Sequence, residues 1–210
     1  INTFSSNTLN TRLADGSAVS IEQQTAYPWE GKVVIKIKKA PNKELPIHIR
    51  IPGWCGKATI QAGGRLMNEK GGQYKTVTRQ WKAGDEIILN MEMPVKMLEA
   101  NPLVEEARGQ VAVKRGPVVY CLESNDLRGK DIFNLVLPVN TVFKPVPEKI
   151  DNGNVMALTG EARMINTESW KNVLYRPVND NLQPVQVKLI PYFAWANRGQ
   201  SDMSVWMPLM

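Results

Sequence analysis

The sequence is poor in the residues that most often carry out chemistry, because it contains one histidine and two cysteines among 210 residues. The single histidine, His48, excludes a histidine-dependent catalytic triad or a multi-histidine metal site within this chain. Cys55 and Cys121 form no Cys-x-x-Cys pair, so the sequence predicts neither a zinc site nor a disulfide framework. We expect two buried free thiols, no metal ligands and no cofactor in this chain.

Long apolar runs and nucleotide-binding motifs are also absent from the sequence. No apolar run approaches the roughly 20 residues of a membrane-spanning helix, and no G-x-S-x-G, P-loop or G-x-G-x-x-G motif occurs. The formal net charge is +6, and the densest basic run, "KIKK" at 36–39, falls within a strand-like pattern. That run is typical of a solvated strand face, so we expect neither a membrane nor a nucleic acid as partner.

Strand patterns dominate what is present. In "KVVIKIKK" at 32–39 and "LPIHIRI" at 45–51, apolar residues alternate with polar ones between Gly, Pro and Asn punctuation. This alternation predicts antiparallel sheets with one buried and one exposed face. Further strands are predicted at residues 74–81, 86–93, 110–123, 133–139, 155–165, 184–195 and 203–209.

The connections between these strands carry separate predictions. Gly84-Asp85 predicts a hairpin that joins the strand at 74–81 to the one at 86–93, and Gly116-Pro117 predicts a bend within 110–123. The Pro- and Asn-rich stretch 145–154 is typical of a surface loop. Sustained 3.6-residue periodicity is missing, and residues 167–175 are the best place for one or two helical turns.

The sequence therefore predicts an all-β protein of two consecutive antiparallel, jelly-roll-like β-sandwich domains. About a dozen short strands exceed what one small sandwich requires. The polar segment 99–109 separates two strand-rich regions, so we place the domains at residues 1–100 and 101–210.

The stretch "RIPGWC" at 50–55 is predicted to be a corner of a sandwich. Pro52 lacks the N–H that a central strand needs, and Gly53 allows backbone angles that other residues resist. The strand that ends at Ile51 must therefore bend or stop there, which leaves Trp54 and Cys55 to close one end of the core.

Six tryptophans are the other conspicuous feature. Flat aromatic rings stack on sugars, which makes an exposed tryptophan a candidate carbohydrate-binding residue. We expect Trp54, Trp81 and Trp206 to pack in a core or between domains. Trp29, in a turn after Tyr27-Pro28, is the candidate for binding carbohydrate.

No pair of carboxylates in the sequence stands out as catalytic. A glycosidase needs two Asp or Glu side chains that face each other across the sugar. The adjacent pairs Asp85-Glu86 and Glu105-Glu106 would point to opposite faces of a strand. We therefore assign no catalytic residue.

Five ordered blocks cover nearly all of the chain: "QQTAYPWEGKVVIKI", "LPIHIRIPGWC", "YKTVTRQWKAGDEIILNMEMPV", "VAVKRGPVVYCLE" and "LIPYFAWANRG…MSVW". In this order they resemble the C-terminal portion of the bacterial β-L-arabinofuranosidase family, glycoside hydrolase family 127. The resemblance implies an (α/α)-barrel catalytic domain, followed by β-sandwiches like those predicted here. It also implies retaining hydrolysis by a zinc-bound cysteine in the barrel, next to a second cysteine.

This sequence has no Cys-Cys pair, and neither Cys55 nor Cys121 matches that motif. The resemblance therefore transfers no catalytic or metal role to any residue here, and zinc is expected in the catalytic domain. It implies a non-catalytic scaffold from a periplasmic or secreted bacterial glycosidase that acts on arabinose-containing glycans. The absence of methionine at position 1 agrees with a piece of a longer polypeptide.

The resemblance names the barrel domain of the same polypeptide as the first partner, and a glycan and a second copy of the chain as further candidates. A surface that packs against a barrel should leave an exposed apolar patch. Three other functions stay open. A carbohydrate-binding module would need exposed aromatic rings, a residual enzyme would need two carboxyl groups about 5–9.5 Å apart, and a nucleic-acid binder would show steep salt dependence.

Overall fold

The computed structural model describes residues 1–127, 130–151, 153–178 and 182–210. Within them the chain forms seventeen strands and five 3₁₀ turns of three or four residues. The predicted all-β class is confirmed. The strands are β1 (Asn7–Arg12), β2 (Ala18–Thr25), β3 (Lys32–Lys39), β4 (Glu44–Ile51), β5 (Ala58–Ala62), β6 (Arg65–Glu69), β7 (Gln73–Gln80), β8 (Glu86–Met91), β9 (Val95–Glu99), β10 (Gln110–Arg115), β11 (Val118–Glu123), β12 (Leu135–Val136), β13 (Lys144–Ile150), β14 (Gly153–Ile165), β15 (Leu182–Pro191), β16 (Met203–Ser204) and β17 (Trp206–Pro208).

The five 3₁₀ turns lie between strands of the second half of the chain. They span Glu105–Ala107, Ser124–Leu127, Ile132–Asn134, Thr167–Trp170 and Tyr192–Ala194. The helical segment expected within 167–175 is thus a single short turn. No helix in the described part of the chain is long and apolar enough to cross a membrane.

The first unit, Ile1–Pro94, is built from two antiparallel sheets. Six strands pair in the order β1-β2-β3-β8-β5-β6, and β4 pairs with β7. Alternate side chains of β3, β5 and β8 enter the same apolar cluster as those of β4, so the two sheets face each other across one core. The buried members of that cluster are Phe4, Val33, Ile35, Ile37, Ile47, Ile49, Ile51, Cys55, Ala58, Ile60, Ala62, Trp81, Ile87, Leu89 and Met91.

The hairpin predicted at Gly84-Asp85 is wrong. β7 pairs with β4, whereas β8 lies between β3 and β5 in the six-stranded sheet. Residues 81–85 therefore carry the chain from one sheet of the sandwich to the other. The turn is held by the Lys82 N–H, which donates to Asp85 Oδ2 at 2.9 Å, and by Trp81, whose buried ring donates to the Leu45 carbonyl at 2.8 Å.

The corner predicted at residues 50–55 is confirmed. β4 ends at Ile51, and the Cys55 N–H closes the turn on the Pro52 carbonyl at 3.1 Å. Cys55 is buried in the core of the first unit. Trp54 packs against that core, and its ring stacks on Tyr27 with the centroids 6.4 Å apart.

The second unit, Val95–Met210, contains one nine-stranded sheet. The main path is β12-β14-β15-β11-β10-β17, while β13 pairs with β14, β16 with β11 and β9 with β10. The unit begins at β9, because that strand pairs with β10 over five residues; the sequence places the boundary a few residues later, near residue 101. Gly116, with φ 56°, turns the chain between β10 and β11.

One predicted loop is instead a strand. The stretch 145–154 contains most of β13, which pairs with β14 from Lys144↔Thr159 to Ile150↔Gly153. In the described part of the chain β13 has no strand on its other side, so it is an edge strand. Its two prolines, Pro145 and Pro147, suit an edge, because a proline cannot donate to a second ladder.

Gly31 provides a test of the packing in the first unit. A Cβ at residue 31 would overlap the carbonyl of Met91, whose N–H donates to the Gly31 carbonyl at 3.0 Å. We expect Gly31→Ala to lower the free energy of unfolding by about 1–3 kcal/mol, because the backbone at residue 31 and the end of β8 must separate. Urea unfolding measures the change.

Gly56→Ala is the matched control for that substitution. A Cβ at residue 56 meets nothing within 4 Å, and the backbone there does not have a positive φ. Its free energy of unfolding should stay within about 1 kcal/mol of the original chain. Equal destabilisation by the two alanines would contradict the predicted overlap at Gly31.

Candidate functional site

The most heavily buried charge in the described part of the chain is Glu123, at the end of β11. Its carboxylate accepts hydrogen bonds from Arg198 Nε at 2.9 Å, the Ala196 N–H at 3.0 Å and Ser201 Oγ at 3.2 Å. A buried carboxylate is costly unless it is paired and hydrogen-bonded. Glu123 meets both conditions through one segment, residues 196–201.

The network extends from Arg198 to two further carboxylates. The Arg198 guanidinium also donates to Asp126, at 2.6 Å and 3.0 Å. Lys188 bridges Asp126 at 3.2 Å and Glu148 at 3.0 Å. Three anionic and two cationic side chains are thus tied together. We call Glu123, Asp126, Glu148, Lys188 and Arg198 the charge network.

The network shifts the pKa of its cations. Hydrogen bonds to Asp126, then to Glu123, raise the pKa of Arg198 above its ordinary value. Burial lowers the pKa of Lys188, but the hydrogen bonds to Glu148 and Asp126 outweigh it, so that pKa is raised overall. Both cations are therefore charged at neutral pH, and their positive charges offset the negative charges of the neighbouring carboxylates.

The geometry of the network favours a structural role over catalysis. A glycosidase needs one carboxyl group that can donate a proton and another that can attack the sugar or activate water. Glu123 and Asp126 are both bound by the same guanidinium. Their lone pairs are directed at Arg198, so neither carboxylate is available to a substrate.

The adjacent carboxylate pairs considered in the sequence are not brought together as a site either. Asp85 binds the Lys82 N–H and lies 3.4 Å from Arg79, and Glu86 lies 3.4 Å from Lys36. Glu105 and Glu106 are exposed on a 3₁₀ turn. No catalytic residue was assigned from the sequence, and this arrangement supplies no candidate pair.

The two cysteines are not arranged as zinc ligands. Cys55 belongs to the first unit and donates its thiol to the Lys57 carbonyl at 3.0 Å. Cys121 is fully buried in the second unit, and burial, with the nearby charge of Glu123, raises its pKa to about 12. Zinc binds the thiolate form, so the residues here do not fit the metal that the family resemblance implies. Groups of three or more His, Cys, Asp or Glu that could hold a metal ion are absent from the described residues.

The remaining residues singled out in the sequence are not members of the charge network. His48 Nδ1 lies 2.8 Å from Thr76 Oγ1, on the exposed face of β4. Trp29 is half-buried in the first unit, in a turn closed by its N–H on the Ala26 carbonyl at 2.9 Å. Trp81 is a core residue, as expected. Trp206 is 37% exposed, so it is not a core residue of the second unit, and its packing between domains stays a prediction.

The structure adds an exposed aromatic segment that the sequence analysis did not select. Residues 192–195 form a 3₁₀ turn and its C-cap, and Tyr192, Phe193 and Trp195 are 48%, 65% and 41% exposed. We call these residues the aromatic turn. It lies directly before the segment bound by Glu123. The strand predicted at residues 184–195 is wrong at its end, because β15 stops at Pro191 and the run "YFAW" forms the turn.

Removal of Arg198 tests the importance of the charge network for folding. Arg198→Met leaves Glu123 buried without its cation, and the loss of one partner of a buried pair costs about 3–5 kcal/mol. We expect a decrease of that size in the free energy of unfolding, measured by urea denaturation of the second unit.

Arg163→Met is the control, because Arg163 makes a partly exposed ion pair with Glu161 at 3.4 Å. Such surface pairs contribute about 0–1 kcal/mol. If the two substitutions had equal effects, the charge network would have no special role in stability.

Cys121 predicts a loss of stability at alkaline pH. Folding raises its pKa from near 9 to about 12, so the folded state favours the neutral thiol. Its contribution is therefore fully present below about pH 8.5 and decreases as the pH rises toward 12, by up to about 1.4 kcal/mol per pH unit. We expect Cys121→Ala to lose less stability than the original chain between pH 8 and 11 in urea unfolding. Parallel curves for the two proteins would contradict this assignment.

Comparison with protein families divides the chain at the same place as its fold. Residues 1–93 match the model of the GH127 middle domain, described as beta-L-arabinofuranosidase. Residues 95–208 match the glycoside hydrolase family 127 C-terminal domain. Together the two matches account for nearly the whole chain.

Similar proteins and structures agree with that match. A non-reducing end beta-L-arabinofuranosidase from Bifidobacterium longum subsp. longum is 33% identical over an alignment of 204 positions, and the match covers 90% of this chain and 30% of that protein. A solved glycoside hydrolase is 46% identical with a TM-score of 0.91, and 99% of this chain covers 35% of it. The crystal structure of a GH127 beta-L-arabinofuranosidase from Geobacillus stearothermophilus T6 is 35% identical with a TM-score of 0.90, over 99% of this chain and 33% of that one.

The chain thus spans about a third of the length of these relatives, and the family resemblance predicted from its sequence is confirmed. Because two domain matches together cover almost the whole chain, the chain belongs to glycoside hydrolase family 127, and it comprises the middle and C-terminal domains of that family.

Proposed function

We propose that this chain is a non-catalytic scaffold of a β-L-arabinofuranosidase-like enzyme that acts on arabinose-containing glycans. The observation that carries the proposal is that the chain matches the middle and C-terminal domains of the family, yet spans only 30% of a beta-L-arabinofuranosidase. The catalytic (α/α)-barrel, with its zinc ion, would belong to the other part of such an enzyme. In this proposal the enzyme is bacterial and works in the periplasm or outside the cell.

The chemistry of the described residues supports a non-catalytic role. The carboxylates of the charge network are bound to Arg198 and Lys188. The buried thiol of Cys121 has a pKa of about 12, which keeps it protonated at neutral pH. A neutral buried thiol is neither a good nucleophile nor a metal ligand.

An exposed apolar segment supports the docking of a further domain. In the second unit, Leu174, Tyr175 and Val178 are 86%, 90% and 99% exposed. A run of large apolar side chains in water is unfavourable, and such patches commonly mark interaction sites. We propose that residues 173–178 pack against the catalytic domain.

A second copy of the chain is the other partner in this proposal. β1 lies at one edge of the six-stranded sheet, and all six of its residues are exposed. An exposed edge strand offers backbone groups to another chain. Sedimentation velocity of the purified protein distinguishes a monomer from a dimer.

The purified 210-residue chain should not hydrolyse an aryl β-L-arabinofuranoside. Release of the aryl group measures hydrolysis, with the Bifidobacterium longum relative as positive control. Elemental analysis should find less than about one zinc ion per ten chains, because a zinc site requires several converging protein ligands. Turnover by the chain alone, or stoichiometric zinc, would overturn the proposal.

A chimera tests the scaffold role. The part of the 46%-identical glycoside hydrolase that this chain does not cover, called the N-terminal region because this chain matches middle and C-terminal domains, is produced alone and fused to this chain. We expect the fusion to be soluble and active, and the isolated N-terminal region to aggregate or to lose activity. Leu174→Lys in the fusion should reproduce the loss, whereas Leu66→Lys, at an exposed leucine of the first unit, should not.

A further inference from the structure

The aromatic turn exposes three rings within four residues. Tyr192, Phe193 and Trp195 are exposed, while Ala194 between them is buried and anchors the turn. Large aromatic side chains usually leave water on folding. Three that stay 41–65% exposed within one short segment form a candidate binding surface.

The backbone of the turn places two of the aromatic residues three positions apart, at its first residue and its C-cap. The Trp195 N–H donates to the Tyr192 carbonyl at 3.1 Å, which is the i to i+3 bond of a 3₁₀ turn. Side chains three residues apart in this geometry are eclipsed, with a rise of about 6 Å over the three residues. The Cα–Cβ bonds of Tyr192 and of the C-cap residue Trp195 therefore start in similar directions, about 6 Å apart along the turn.

The charge network fixes this turn before any ligand binds. Glu123 accepts the Ala196 N–H at 3.0 Å and binds Arg198, which holds the chain immediately after Trp195. The side-chain amide of Asn197 donates to the Ala194 carbonyl at 3.2 Å. Ala196 itself has φ 65°, a conformation that needs such support. A binding surface that is already ordered loses less entropy when it binds.

The chemistry of the turn suits a sugar. Tyrosine and tryptophan combine an apolar ring face with a polar O–H or N–H at the edge, and a sugar ring likewise has a C–H face and hydroxyl edges. Asn197 and Gln200, both exposed, carry amide groups within five residues of Trp195 in the sequence. We propose that Tyr192 and Trp195 form a glycan-binding platform, which stacks on successive sugar rings of an arabinose-containing chain.

The choice of an arabinose-containing glycan rests on the proposed function, whereas the platform itself uses only residues of the second unit and needs no catalytic domain. It also differs from Trp29, the carbohydrate candidate chosen from the sequence, which is half-buried in the first unit. If the chain binds glycan but does not increase the activity of the fused N-terminal region, the platform is supported and the scaffold role is not.

Affinity electrophoresis in gels that contain linear arabinan tests the platform, with amylose gels as the reference. We expect the original chain to be retarded by arabinan, and Tyr192→Ala or Trp195→Ala to weaken the apparent affinity at least tenfold. Trp195→Tyr should recover most of the retardation, because it restores a ring. Urea unfolding of each variant confirms that the second unit is intact.

Trp170→Ala is the matched control, since Trp170 is 37% exposed in the same unit but its ring lies against Arg176, with the guanidinium carbon 4.1 Å from the ring centroid. This variant should bind arabinan like the original chain. The proposal is overturned if the original chain is not retarded, or if Trp170→Ala has the same effect as Trp195→Ala. It is also overturned if the two alanine variants retain arabinan binding and instead abolish self-association, which would identify a protein interface.

Discussion

The structure depends on the burial of one face of each sheet. In β3 and β4, alternate apolar side chains are buried in a shared core, while the residues between them are partly or fully exposed. Because the period of a strand is two, a shift of one residue would expose Ile35 and Ile49 and bury lysine and arginine. This constraint sets the register of the ladders in the first unit and the side on which each connecting segment must emerge.

The same constraint explains how much of the fold could be predicted from the sequence. Alternation identified the strands around Ile35 and Ile49 correctly, and backbone chemistry identified the corner at Pro52, since both depend on local residues. The pairing of β7 was not local. Gly84-Asp85 is typical of a hairpin, but β7 instead pairs with β4, which lies about 30 residues earlier in the chain. Local turn chemistry does not specify which sheet the next strand joins.

The candidate site was less predictable than the fold. Glu123 and Arg198 are separated by 75 residues, and neither has a neighbour in sequence that signals the pair. A buried ion pair is recognised only when the fold brings its members together. Trp29 and Trp206 likewise could not be assigned from residue type, because exposure depends on the strands that surround each ring. The prolines of β13 were misleading for another reason, since an edge strand tolerates residues that a central strand excludes.

In the second unit the charge network fixes a backbone conformation, and the aromatic turn is the segment whose conformation it fixes. Buried charges usually contribute little net stability compared with apolar packing, and some are retained because they specify one conformation. Here the conformation so specified belongs to residues 192–198, outside regular strand structure. The ion pair of Glu123 and Arg198 thus connects the sheet of the second unit to the exposed aromatic turn.

The prolines of β13 have a consequence for the chain in concentrated solution. Pro145 and Pro147 lie two residues apart, so their nitrogens point toward the same side of the strand, and β14 already occupies the other side. A foreign strand that approached this open flank would meet two pyrrolidine rings in place of amide protons. Strand addition is therefore disfavoured along β13, because two of the backbone donors that it requires are missing there.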